Sequence, residues 1–314
     1  MIQKLSALIL FASSSIVFAG GSTTNNISSN NSSYFSDTYG QYKISYGAID
    51  FSRHDDDGIA RDEAADYLPW YFQGWLAKPI NKSLDAVLKG KYSYYNPRGF
   101  GGSSGDIDDT PTMALSIEAL LLKDYQNSTS FTSLQYIREK QDDGDVNNNH
   151  HSTSWHGSLG GAYSFNANNT SIIGFGLASN DTHTLDQNYT DEVIYLQLLH
   201  NYNFTDNLSM SISHVQYQYE SKNTGSVDED GKDYQHSEIG FSYLHKGMDL
   251  GLTFGRIDLN EGVESANETT NKGDSYMFSV AIPFGTPAKK RTNLIMNNRP
   301  DIEFMQGFSA GPAE

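Results

Sequence analysis

The stretch Ser275–Phe284, SYMFSVAIPF, decides how the rest of the chain is read. Tyr276, Phe278, Val280, Ile282 and Phe284 fall on one face, and Met277, Ser279, Ala281 and Pro283 on the other. A period of two belongs to an extended strand, whose successive side chains point to opposite sides of a sheet. A helix would space its apolar residues three and four apart.

The same alternation recurs along the chain from Gln41 onward. Strands are expected at about 41–52, 67–79, 83–95, 112–124, 129–140, 153–165, 170–180, 192–204, 208–221, 234–245, 248–259 and 274–285. Besides the last, the third is the clearest: Leu84, Ala86, Leu88, Gly90, Tyr92 and Tyr94 oppose Asp85, Lys89, Lys91 and Ser93. In the fourth, Met113, Leu115, Ile117, Ala119 and Leu121 oppose Ser116 and Glu118. The connections alternate in length. Short turns are expected near 81, 127, 168, 206 and 247, and long acidic loops near 53–66, 96–111, 141–152, 181–191, 222–233 and 260–273.

Two-faced strands joined by short turns on one side and long loops on the other describe a transmembrane β-barrel. The expected fold is all-β, an antiparallel up-and-down barrel of about 12 strands over residues 41–285, with both ends on the short-turn side. A soluble β-sandwich is the rival reading, but it would rarely sustain so many meandering hairpins.

Residues 1–19 read as a secretory signal peptide. Lys4 supplies the positive start, an apolar stretch follows, and Val17-Phe18-Ala19 ends it with a small residue at the cleavage site. Ser13-Ser14-Ser15 interrupts that stretch, which falls short of the roughly 20 apolar residues of a spanning helix. Residues 20–40 form a Ser/Asn-rich linker. Its Asn-x-Ser/Thr triplets, and those farther on, are read as turn chemistry rather than glycosylation sites.

Composition excludes several classes. With 38 acidic and 21 basic residues, the net charge of −17 gives no basic footprint for nucleic acid. Cysteine is absent, which removes disulfides, thiolate metal sites and thiol nucleophiles. Hydrophobic content is 37%, too low for a helical membrane protein yet natural for a barrel with one polar face.

Candidate chemistry is sparse, and no catalytic, cofactor or metal residue is assigned. His156-Gly157-Ser158 and His150-His151-Ser152 have His-x-Ser spacing, which on a strand puts both side chains on one face. The phase of Trp155, Leu159, Tyr163 and Phe165 points His156 and Ser158 inward, away from lipid, so an outer-membrane lipid hydrolase is only the alternative reading. Acidic runs such as Asp55-Asp56-Asp57 and Asp228-Glu229-Asp230 offer oxygen ligands without a complete calcium loop. They read as solvated loops that bridge divalent cations with lipopolysaccharide. The expected lumen-lining residues are Lys43, Asp85, Lys89, Lys91 and Glu118, with Gln197, Asn201 and Asp249. Such charges either fill a narrow bore or select among small solutes and ions.

Taken with the closing Ile282-Pro283-Phe284, these features resemble the Gram-negative outer-membrane β-barrel superfamily over roughly residues 41–285. The resemblance implies an outer-membrane location, contact with outer-membrane lipid and lipopolysaccharide, and recognition of the aromatic end by barrel-assembly machinery. It implies a porin-like small-solute channel, or a solitary autotransporter-type barrel without passenger, rather than an enzyme. An autotransporter also needs a helix threading the pore, and the Ser/Asn linker has no helical period. Residues 286–314 depart from the usual pattern by continuing beyond the last strand. They are expected to form a periplasmic C-terminal tail, read as a disordered extension, with plugging of the lumen or docking on a partner as other placements.

Overall fold

In the computed structural model, described over residues 38–54, 60–61, 66–98, 112–141, 151–183, 188–223, 231–261, 269–286 and 289–299, twelve long strands close into one barrel. They are β1 (Tyr39–His54), β2 (Asp66–Asn81), β3 (Leu84–Arg98), β4 (Thr112–Asp124), β5 (Ser128–Gln141) and β6 (His151–Ser164). There follow β7 (Asn169–His183), β8 (Asn188–Asn203), β9 (Leu208–Asn223), β10 (Gly231–His245), β11 (Met248–Glu261) and β12 (Thr269–Gly285). A two-residue piece, Ala60–Arg61, pairs back onto the end of β1. The signal peptide, nearly all of the linker, most of the acidic loop residues, His150 and the tail beyond residue 299 lie outside the described residues.

Each strand pairs antiparallel with the next, and β12 pairs with β1 from Tyr39↔Gly285 to His54↔Thr270. Closure matters energetically. A barrel leaves no edge, so every backbone group can find a partner inside hydrocarbon. At the seam Tyr42 stacks on Phe284 with ring centroids 4.8 Å apart.

The alternation read from the sequence is realised as two environments. Along β4 buried and exposed residues alternate, with Leu115 and Ile117 about half exposed on the outside. Leu159 and Leu177, each 64% exposed, belong to the same apolar exterior. A patch of that extent would be untenable in water, and in a bilayer it is the solvated surface. Aromatic pairs mark two girdles. Tyr163–Phe165 and Tyr202–Phe204 lie at the short-turn end, and Trp70–Tyr94 and Tyr136–Trp155 nearer the long loops.

The short turns carry their own chemistry. The Asn166 side chain accepts from the backbone amides of Asn168 and Asn169, and Thr205 does the same for Asn207 and Leu208. Lys246 and Gly247 both have positive φ, 50° and 82°, as a two-residue hairpin turn with the strand twist requires.

The interior is less polar than the sequence led one to expect. Near the long loops, Ile49, Ile137, Val215 and Ile257 pack with Tyr71, Tyr95, Tyr195, Tyr217 and Tyr234. Near the short turns, Trp75, Leu120, Leu122, Phe131, Ile172 and Leu199 form a second cluster. Over residues 289–299 the tail departs from the expectation of a disordered extension. Residues Lys290–Asn298 form a helix, α1, and Leu294, Ile295 and Met296 are buried in that second cluster.

Candidate functional site

Helix α1 does not form on local grounds. At 9 residues it is shorter than an isolated helix that survives in water. Lys289 at the N-cap makes no side-chain cap, and the first turn holds Lys290 and Arg291 with no acid, the wrong sign for the helix dipole. The barrel wall supplies what the sequence of the helix withholds.

Lys289 Nζ lies 2.9 Å from Asp85 Oδ2 and 2.7 Å from Asp124 Oδ2. Asp85 is fully buried and also accepts from Tyr39 Oη at 2.6 Å. Burial works to lower the Lys289 pKa, but its bonds to Asp124 and Asp85 outweigh that and raise it. Arg291 Nε donates to Thr129 Oγ1 at 2.7 Å, and Arg291 Nη2 to the Tyr125 carbonyl at 2.9 Å. Thr129 in turn donates to Asp124 Oδ1 at 2.6 Å. The base of the helix is therefore fastened to β3 and β4 by shared carboxylates.

The far end is fastened differently. The last carbonyls of a helix have no partner within it. Here Gln73 Nε2 donates to the Met296 carbonyl at 3.3 Å and Lys43 Nζ to the Asn297 carbonyl at 3.4 Å. A cation beside a helix C-terminus also suits the dipole. Trp75 Nε1 donates to Asn297 Oδ1 at 3.0 Å, and Asn297 Nδ2 bonds to Gln41. Just past the helix, Arg299 pairs with Glu118, both side chains being almost wholly buried, and its guanidinium lies 5.2 Å from the Phe131 ring centre. Apart from Tyr125, in the turn after β4, these wall residues lie on strand faces opposite the lipid-facing one, so α1 occupies the lumen.

The five residues expected to line the lumen sit on β1, β3 and β4 and face inward. Asp85, Glu118 and Lys43 contact the tail. Lys89 is paired in register with Glu118 on the neighbouring strand. Lys91 lies over the Tyr71 ring, 4.2 Å from its centre. Gln197 and Asn201 are buried, and Asp249 accepts from Ser242. Sequence reasoning missed Tyr39, Gln73, Trp75, Asp124, Thr129 and the tail residues that meet them. One signal was present: an inward carboxylate, Asp85, at the short-turn end of its strand, and a basic run after the last strand.

The His156–Ser158 reading does not assemble, and His150 of the other pair lies outside the described residues. His156 Nε2 bonds Ser154 Oγ at 2.8 Å, while Ser158 Oγ bonds Ser133 Oγ at 2.6 Å. His236 brings the same Nε2 to Ser275 Oγ at 3.4 Å and Glu238 Oε1 at 3.5 Å. A base that relays a proton needs its two nitrogens on different partners, so this cluster is not a triad. Among the described residues no group of three or more His, Asp or Glu could hold a metal ion.

Of solved structures, an outer membrane channel from Pseudomonas putida superimposes with a TM-score of 0.61 at 10% identity, covering 82% of this chain and 100% of that one. This is the fold of an outer-membrane β-barrel. A Pseudomonas aeruginosa FadL homologue matches at a TM-score of 0.45 with 12% identity, over 85% of this chain and 96% of that one. The Pseudomonas putida toluene transporter TodX gives 0.42 with 8% identity, over 81% and 91%. These two likenesses are too loose to carry argument. No protein-family model matches the sequence, and no curated protein matches it.

Proposed function

We propose that this protein is a small-solute channel of the Gram-negative outer membrane, held closed from the periplasmic side by its own C-terminal segment. The seat of α1 carries the reading. A helix with cations at both ends enters a lumen whose wall offers Asp85 and Asp124 to Lys289 at the base and Glu118 to Arg299 at the far end. Charge and shape match on both sides, so the segment is a built-in plug. Residues 1–19 direct export and are removed, residues 20–40 are a linker, and the closing strand addresses the assembly machinery. An autotransporter-type barrel remains the second reading. It would draw its pore helix from before the barrel, whereas α1 follows the last strand.

Two barriers lie in series along the lumen, the plug and, above it, the cluster around Tyr195, Tyr217 and Tyr234. Between them Lys43, Lys89 and Lys91 set the charge of the constriction, and charge in a constriction decides which ions pass. The test is conductance in planar bilayers. The full chain should be nearly silent, and deletion of 286–314 should give small, modestly anion-preferring channels. Replacing Lys89 and Lys91 with Glu in that background should move the reversal potential toward cations. A truncated barrel that stays silent even with Tyr217→Ala would refute the channel reading.

A further inference from the structure

We propose that the recess at the periplasmic base of the plug binds the phosphate of an anionic phospholipid from the inner leaflet of the membrane. The proposal rests on the orientation and docked tail adopted above. The recess, about 480 Å³, lies between the turn after β4, the turn after β6 and the start of the tail. It far exceeds the ~30 Å³ share of one water, leaving room for a phosphate and part of a headgroup.

Its charge is unusual for a chain of net charge −17. Lys289, Lys290 and Arg291 line it against one carboxylate, Asp124. Lys289 already engages that carboxylate at 2.7 Å and the buried Asp85 at 2.9 Å, and Arg291 Nη2 lies 4.0 Å from Asp124, so Lys290 is the cation the recess can offer. Lys290 donates to the Ala167 carbonyl, and among the described residues no carboxylate lies within ion-pair distance of it. The neutral lining points the same way. The Asn166 side-chain oxygen is occupied by the amides of its own turn, so its amide nitrogen is the group it can offer. A recess rich in donors and poor in spare acceptors suits a phosphodiester, which only accepts.

The same features would serve a free phosphate, and position favours the lipid. Phe165 lines the recess, is 63% exposed and packs edge-on against Tyr163 on the lipid-facing side. The recess therefore opens beside the lower aromatic girdle, where headgroups lie and where acyl chains find an apolar surface. A soluble anion would gain nothing from that surface.

The experiment uses the full chain in uncharged detergent, with native mass spectrometry reading retained phosphatidylglycerol, phosphatidylcholine or inorganic phosphate. Phosphatidylglycerol should be retained about tenfold more than phosphatidylcholine, as expected for a charge-assisted contact. Lys290→Glu should erase that preference. Asn127→Asp, which adds a carboxylate to the recess while leaving the plug's contacts in place, should do the same. Heat-modifiable migration checks that both variants are folded. Equal retention of the two lipids, or a preference that survives both variants, would overturn the proposal. Displacement of phosphatidylglycerol by equimolar inorganic phosphate would overturn the lipid source. Because retention is read on the full chain, a truncated barrel that never conducts would sink the channel reading without altering this result.

Discussion

Arg299→Ala is the most informative perturbation of the plug. Arg299 and Glu118 form an ion pair whose side chains are 6% and 2% exposed. Breaking a buried pair by removing one member costs about 3–5 kcal/mol, because the other charge is left without compensation. Lys89 stands beside Glu118 on the neighbouring strand and relieves part of that cost, so we take the lower figure. About 3 kcal/mol corresponds to roughly a hundredfold shift in the ratio of undocked to docked tail. Docking should nevertheless remain the majority state. Leu294, Ile295 and Met296 are buried in the lumen, and each such side chain contributes about 1.5–3 kcal/mol. The expected signature in planar bilayers is therefore brief openings, about a hundred times more frequent than in the parent, rather than a permanently open barrel. Glu118→Gln should behave similarly, and the double variant Glu118→Gln/Arg299→Gln should lose less than the sum of the two, as contacting residues do. If neither single variant changes opening frequency while deletion of 286–314 does, the pair balances its own desolvation and does not hold the plug.

Two further outcomes follow. The Lys289 pKa is raised on docking, so its contribution is complete below the ordinary lysine value and fades only as pH climbs past it. Protease protection of the tail should thus be insensitive to this group from about pH 6 to about pH 9 and decline in strongly alkaline buffer. A decline already near neutrality that Lys289→Gln abolishes would contradict the assignment. Topology is checked by cysteine labelling on intact cells: Asp181→Cys, near the long-loop end of β7, should react with an impermeant thiol reagent, and Lys246→Cys, in the short turn after β10, should not. The reverse pattern would invert the barrel.

The strands were legible because hydrocarbon enforces their pattern. Where the wall meets lipid, an outward polar residue is costly, so alternation such as Leu84 to Leu88 against Asp85 to Lys89 is kept. The misplaced boundaries share one cause. The first strand, expected over 41–52, runs from Tyr39 to His54, and the last, expected from 274, begins at Thr269. Outside the bilayer both faces of a strand are wet and the alternation fades, although backbone pairing continues. The inward apolar residues were harder to see. In Ala119-Leu120-Leu121-Leu122 both faces are apolar, so the period of two cannot tell a polar lumen from a packed one.

The plug was the least legible element, and the reason is physical. Its apolar residues Leu294, Ile295 and Met296 are adjacent, so they trace neither a helical stripe nor an alternating face. A surface helix needs one apolar side because water takes the other. A helix enclosed by a barrel meets wall on every side, so its sequence reads as irregular. What the sequence did contain was an unbalanced account of charge. Asp85 and Glu118 fall at inward positions of adjacent strands, where an unpaired carboxylate would be costly to bury. Lys89 and Lys91 face the same lumen, but Asp85 lies four residues before Lys89, toward the short turn and away from both. An acid buried at the mouth of a lumen calls for a cation from beyond the wall. The nearest run of cations outside the strands is Lys289-Lys290-Arg291, a few residues after the last strand leaves the sheet. Matching inward charges of a barrel against the charges of its terminal extension is thus a stronger guide to a plug than any search for helical period.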